Sequence, residues 1–188
     1  MGAVCGKIPK QDLEFLKLNT NCDENTIKRM YKEIKKKSRN GQLSPALFYA
    51  MYVKLCPTDN AKDYCNHVFR TLDGDNNGYV SFKAFLLAIN ISSNGSLEQK
   101  LNWAFKLYDI NGDGEINRCE MIIIVETMFE MLDGDHLQRK NHAKEKAKEI
   151  FAKLDVNGDF RLSKEEFVSG CLKDEELSNL LTLHARVV

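Results

Sequence analysis

The sequence has few of the features that would commit it to a membrane, a disulfide framework or catalysis. It holds only three prolines and one tryptophan in 188 residues. No apolar run approaches the roughly 20 residues a membrane-spanning helix needs. Six cysteines stand at positions 5, 22, 56, 65, 119 and 171, with no CxxC pair and no zinc spacing among them. The first residues lack the apolar stretch of a secretory signal, so reduced thiols in a cytoplasmic protein are expected. Four histidines are scattered at 67, 136, 142 and 184, and no nucleophile motif accompanies them, which argues against an enzyme. Nor is there an excess of either charge, with 27 basic residues against 27 acidic ones, and no nucleic-acid partner is expected.

That balance hides an asymmetry. Residues 1–40 carry ten Lys or Arg against five Asp or Glu, leaving 17 against 22 in the rest. A basic N-terminal part suits an anionic membrane face or an acidic partner, and equally a plain solvated helix face.

What the chain does have is an internal repeat. Phe69-Arg70-Thr71-Leu72-Asp73, Phe105-Lys106-Leu107-Tyr108-Asp109 and Phe151-Ala152-Lys153-Leu154-Asp155 share one pattern. A polar, Gly-containing stretch follows each, then an apolar residue at the eighth place counted from the Asp: Val80, Ile116 and Leu162. A second helical pattern then opens on Phe85, Met121 or Phe167. The apolar spacings on both sides are helical, as in Ala104, Phe105 and Tyr108, or Ile124, Met128 and Met131. Ser96 with Gln99, and Ser163 with Glu166, read as capping boxes. A degenerate copy precedes these, with Tyr31 and Ile34, then Gly41, Leu43 and Phe48. The predicted fold is all-α, with four EF-hand helix–loop–helix units in two paired lobes. The polar residues 92–95, with the Asn94-Gly95 turn signal, set the expected boundary, giving domains 1–93 and 94–188. A longer link, 132–142, is expected between the third and fourth units.

The loops carry the chemistry. A Ca²⁺ ion takes six to eight oxygens, and a twelve-residue loop supplies them from places 1, 3, 5, 7, 9 and 12, with Gly at the sharp turn of place 6. The third loop meets every requirement: Asp109, Asn111 and Asp113, the turn at Gly114, the Glu115 carbonyl, Asn117 at place 9 and Glu120 as the bidentate last ligand. The fourth offers Asp155, Asn157, Asp159, the Arg161 carbonyl, Ser163 and Glu166, but place 6 is Phe160. Positive φ there costs a bulky residue ~1–2 kcal/mol, so weaker binding is expected than in the third loop. The second loop has Asp73, Asp75, Asn77, the Tyr79 carbonyl and Ser81, but ends on Ala84. Lacking its bidentate ligand, it is at best a weak Ca²⁺ site, and it suits Mg²⁺ or a structural role in pairing with its neighbour. The first loop has Lys and Ser where acids belong and Leu47 at place 12, so no metal is expected there.

The stretch from Gly95 to Asp109, with His67-Val68-Phe69-Arg70-Thr71-Leu72-Asp73 and Leu87-Ala88-Ile89-Asn90-Ile91-Ser92-Ser93, resembles the neuronal calcium sensor family of frequenin, recoverin and visinin-like proteins. The resemblance spans roughly residues 10–183. It implies an N-terminal myristoyl group on Gly2 and regulation of membrane-associated targets. Gly6 stands where the acylation motif usually has Ser or Thr. One such chain binds membranes only marginally. Cys5 as a palmitoylation site, or the basic helix from Lys28 to Arg39, would be the second signal. Ala84 and Phe160 depart from the family's Glu and Gly, and Ser38 and Arg39 replace its usual Cys-Pro, so the chain resembles a divergent member.

These readings converge on a Ca²⁺ sensor, cytoplasmic and peripheral on membranes when acylated. Binding would open helix pairs and expose an apolar groove to an amphipathic helix of a target. Phe48, Tyr49, Tyr52, Phe82, Phe85, Leu86 and Ile89 are the candidates for that groove. The leucine-bearing tail 176–183 is a candidate to fill it until a partner displaces it. The alternatives are a Ca²⁺ buffer that barely opens, or a phosphatase regulatory subunit of the calcineurin-B type.

Overall fold

The structure is a computed structural model that describes residues 7–38, 40–55, 61–131 and 136–182. Gly2 and Cys5 therefore lie outside the described residues, as do Arg39 and Leu183. The described chain is helical, with four very short strands, and divides into two compact units, Met1–Asn90 and Ile91–Val188. No described helix is long and apolar enough to cross a membrane.

The first unit runs α1 (Lys10–Asn19), α2 (Glu24–Lys37), β1 (Gln42–Leu43), α3 (Pro45–Leu55), α4 (Ala61–Leu72), β2 (Val80–Ser81) and most of α5 (Phe82–Asn94), whose residues from Ile91 on fall in the second unit. Asp23 caps α2 by accepting from the backbone N–H groups of Asn25 and Thr26. Strands β1 and β2 pair antiparallel, Leu43 opposite Val80. The degenerate first loop thus completes its lobe by pairing with the second. Around this pair the core is aromatic: Phe48 meets Phe69 and Phe85 edge-on at 5.4 and 5.3 Å, and Tyr31 meets Phe82 at 5.3 Å. Gly41 has φ +70° and sits against Tyr31, whose hydroxyl would lie 2.9 Å from any added Cβ. Only Gly satisfies both demands at that turn.

The second unit runs α6 (Leu97–Tyr108), β3 (Glu115–Asn117), α7 (Arg118–Met131), α8 (His136–Leu154), β4 (Arg161–Ser163), α9 (Lys164–Lys173) and α10 (Glu175–Leu181). Here β3 and β4 pair antiparallel with Ile116 opposite Leu162, so the eighth-place residues face each other in both units. Both predicted capping boxes, Ser96/Gln99 and Ser163/Glu166, are present. Helix α6 buries Leu101, Trp103, Ala104, Phe105, Leu107 and Tyr108, more than one face, because α7, α9 and α10 all pack on it. Phe167 is fully buried between Phe105 and Tyr108, with ring centroids 5.8 Å away in each case.

Three expectations change. The exit helices begin three residues before Phe48, Phe85, Met121 and Phe167, because the last loop residues form the first helical turn. The expected 132–142 link is helical from residue 136 on, since α8 already starts at His136 and Leu137, Gln138, Arg139 and Lys140 are all residues that favour helix. Residues 92–94 form the last turn of α5, which ends where the Gly95 N–H donates to the Ile91 carbonyl at 3.0 Å. Helix α10 packs on α6 and α9 of its own unit, burying Leu177 and Leu181, and the Tyr108 hydroxyl donates to the Leu181 carbonyl at 2.7 Å.

Candidate metal centres

Each of the last three loops folds on two left-handed residues, at places 4 and 6. These are Asn76 (φ 51°) and Gly78 (80°), Gly112 (74°) and Gly114 (91°), and Gly158 (75°) and Phe160 (65°). The loops therefore share one backbone whatever residue occupies it. Phe160 accepts the strained conformation with its ring half exposed at 57%, under the Arg118 guanidinium 4.2 Å from its centroid. Arg118 lies opposite Phe160 by continuing the register of Asn117 with Arg161. A cation over an aromatic face contributes about 0.5–1 kcal/mol at an exposed site, which offsets part of the strain.

In the third loop the place-1 carboxylate organises the turn. Asp109 Oδ1 accepts from Gly112 and Asp113 N–H at 2.8 and 3.1 Å, and Oδ2 from Gly114 N–H at 3.0 Å. Asn111 Nδ2 donates to Asp113 Oδ2 at 3.0 Å. Glu120, only 5% exposed, spans the loop: Oε1 accepts from Ile110 and Asn111 N–H at 3.0 Å each, Oε2 from Asn117 N–H at 2.9 Å. Asn117 Oδ1 in turn accepts from Glu120 N–H at 3.1 Å. The place-9 and place-12 ligands are thus the N-cap and N3 residues of α7, an Asn version of a capping box. Asp113 is held below the usual carboxylate range, by the Asn111 hydrogen bond first, then by the Glu115 N–H and by Arg161.

The fourth loop repeats the plan. Asp155 accepts from Gly158 and Phe160 N–H at 2.8 and 3.0 Å. Glu166 accepts from Val156 and Asn157 N–H at 3.3 and 3.4 Å, longer than their counterparts in the third loop. Its other oxygen takes the Ser163 hydroxyl at 2.8 Å and N–H at 3.0 Å, and the hydroxyl bond is the main reason its carboxyl is held low. Asn157 Nδ2 donates to Asp159 at 2.8 Å. In the second loop Asp73, 6% exposed, accepts from Asn77 and Gly78 N–H at 3.0 and 2.9 Å, and Asn77 donates to Asp75 at 2.7 Å. Ala84 offers only its N–H, to Ser81 Oγ at 3.1 Å, so no side chain spans this loop as Glu120 and Glu166 span theirs.

Among the described residues no three acidic, His or Cys side chains close into a ready cage. The carboxylates face loop N–H groups, and Asp109 Oδ2, Glu120 Oε2 and both Asp155 oxygens accept one N–H each, which leaves each a second lone pair for an ion. The donors are all hard oxygens from Asp, Asn, Glu and backbone, the set that suits Ca²⁺ or Mg²⁺ rather than softer metals. The third and fourth loops fit a seven-oxygen shell; the second is short of its bidentate ligand; the first has no acid to offer.

One cross-loop contact is absent from the loop pattern. Arg161, whose carbonyl is the fourth loop's place-7 oxygen, sends its side chain to the third loop. Nη1 lies 2.8 Å from Glu115 Oε2 and 3.3 Å from Asp113 Oδ2. Aligning the two eighth-place residues puts Arg161 opposite Asn117 and diagonal to Glu115, so the register was the signal that could have found it.

Helix–loop–helix pairs joined by antiparallel strands, with oxygen ligands at these places, define an EF-hand protein. Two EF-hand domain pair matches, over residues 39–88 and 98–172, agree with this. S-modulin from Aquarana catesbeiana is 33% identical over 180 residues, 94% of this chain and 89% of that protein. Human recoverin is 31% identical over 187 residues, 97% of this chain and 94% of its own length. The chain belongs to the neuronal calcium sensor family, as a divergent member, and is a calcium-binding sensor protein rather than an enzyme.

Proposed function

We propose that this protein is a Ca²⁺-switched regulator of a membrane-associated target. The ion is held first by Asp109, Asn111, Asp113, the Glu115 carbonyl and Glu120, with Asn117 acting through water. A weaker site uses Asp155, Asn157, Asp159, the Arg161 carbonyl and Glu166. The loop of Asp73, Asp75, Asn77 and the Tyr79 carbonyl takes Mg²⁺ or serves as a structural partner. The protein works in the cytoplasm and reaches membranes through a myristoyl group on Gly2, with the basic helix α2 as second signal. Its target presents an amphipathic helix.

The observation that carries this reading is the placement of Glu120. It is buried in the first turn of α7, and its two oxygens hold N–H groups at both ends of the loop. Drawing that carboxylate onto an ion moves the start of α7 relative to α6, which is how a loop event becomes a helix rearrangement. Phe48, Tyr52, Phe82, Phe85 and Leu86 are buried, Ile89 half-buried and Tyr49 40% exposed. A sensor would bring part of this apolar set to the surface.

The test is fluorescence of an apolar-surface dye on Ca²⁺ addition. The wild type should show a rise that Glu120→Gln abolishes. Ion binding without any rise would make the protein a buffer and sink the switch.

A further inference from the structure

We infer that Arg161 is a tethered counter-cation of the third loop, setting its Ca²⁺ affinity from the neighbouring loop. The inference rests on the proposal that the third loop binds Ca²⁺.

The geometry is specific. Arg161 Nη1 is 2.8 Å from Glu115 Oε2 and 3.3 Å from Asp113 Oδ2. Asp113 Oδ2 also accepts from Asn111 Nδ2 at 3.0 Å, and Oδ1 accepts from the Glu115 N–H at 3.0 Å. The place-5 ligand is therefore surrounded by donors, and Arg161 is the charged one. A Ca²⁺ ion that takes an Asp113 oxygen competes with that guanidinium for the same lone pairs. Glu115 contributes only its carbonyl to the shell, so its side chain is free to keep Arg161 close after Asp113 has turned to the ion. The cation is then displaced by a short distance and stays within reach of the site.

The charge count gives the direction. Asp109, Asp113, Glu115 and Glu120 place four negative charges in one loop, and Arg161 cancels one of them. A fixed positive charge several ångströms from a dication disfavours binding, and at the high effective dielectric of an exposed site the penalty is modest. Ion pairs this exposed (the Arg161 side chain is 50% accessible) add little to folding stability. Their effect on a third charge that enters between the partners does not depend on that stability. Position 161 is suited to this role because a place-7 residue coordinates through its carbonyl alone, so its side chain is available to the neighbouring loop.

The experiment is a Ca²⁺ titration of the full chain in a Glu166→Gln background. The Gly114 backbone amide resonance reports the third loop, and calorimetry gives its dissociation constant. Arg161→Gln, which keeps the carbonyl, should tighten the third loop by roughly three- to tenfold at low salt, an effect that fades toward 1 M KCl. Arg161→Lys should leave affinity within about twofold of the parent, since it keeps the charge. Unchanged or weaker binding in Arg161→Gln at low salt overturns the inference, as does a gain that salt does not diminish. A parent whose Gly114 resonance ignores Ca²⁺ overturns the third-loop assignment itself, and this inference with it.

Discussion

Phe160 shows how one residue can break a loop's rule without breaking the loop. Its φ of 65° lies in the left-handed region that Gly114 (91°) and Gly78 (80°) occupy in the sister loops. Left-handed backbone costs a side chain ~1–2 kcal/mol. Two effects work against the obvious remedy. Phe160→Gly would give up the Arg118 contact, about 0.5–1 kcal/mol, and would add about 0.5–1 kcal/mol of backbone entropy loss on folding. These terms nearly cancel the relief. Phe160→Gly should therefore change stability by less than ~1 kcal/mol, whereas Phe160→Ile, β-branched at positive φ and without a ring, should destabilise by more than that. Urea unfolding of the two variants checks this. Stabilisation by Gly of well over 1 kcal/mol would show that the Arg118–Phe160 contact contributes nothing. The φ at place 6 was readable from the sequence, because the twelve-residue pattern demands a turn there. The guanidinium above the ring was not, because it depends on a partner 42 residues away and on the strand register that joins them.

At the scale of elements, α2 carries an exposed set of ion pairs. Its first turn is anchored by Asp23, the N-cap, and by Glu24, which pairs with Lys28 and, at 2.9 Å, with Lys17 of α1. Hydrogen bonds from these two lysines, Lys28 first, bring the Glu24 carboxyl down from 4.5 to about 2. A carboxyl lowered on folding stabilises the fold at pH values above its unfolded pKa and loses that contribution as pH falls through the folded value. The α1–α2 junction should thus hold at neutral pH and loosen between about pH 4.5 and 2. The group is exposed, so the effect on total stability is small and screened by salt. An NMR titration should place the Glu24 midpoint well below that of an ordinary Glu, and Lys28→Met should raise it. A midpoint near 4.5 in the wild type would contradict the pairing. The helices themselves were largely legible, because apolar spacing and caps such as Ser96 and Ser163 are local signals. The extent of α8 was less so. Its first turns carry little apolar periodicity in the sequence, and α8 nevertheless starts at His136 and packs on α7. The docking of α10 on α6 and α9 was not legible, since its leucines would suit any apolar groove and only tertiary packing selects one.

At the scale of the molecule, the last three loops share one backbone plan and differ in what they can bind, while the first keeps only the strand pairing. The twofold scheme of paired loops was readable from the eighth-place residues, and Leu43–Val80 and Ile116–Leu162 are the pairs that realise it. The proposed ranking of the loops rests on how each ends. Glu120 spans its loop through bonds of 3.0 Å, Glu166 through bonds of 3.3 and 3.4 Å, and Ala84 cannot span at all. What sequence could not supply was the traffic between loops, where Arg161 and Arg118 cross in opposite directions. A calorimetric Ca²⁺ titration of the wild type beside Glu120→Gln and Glu166→Gln tests the central claim most directly. Glu120→Gln should weaken the tightest site by roughly a hundredfold, as expected for losing about 3 kcal/mol of charged ligation, while Glu166→Gln should remove only a weaker one. If the tightest site survives Glu120→Gln unchanged, the third loop is not the primary Ca²⁺ site and the account fails.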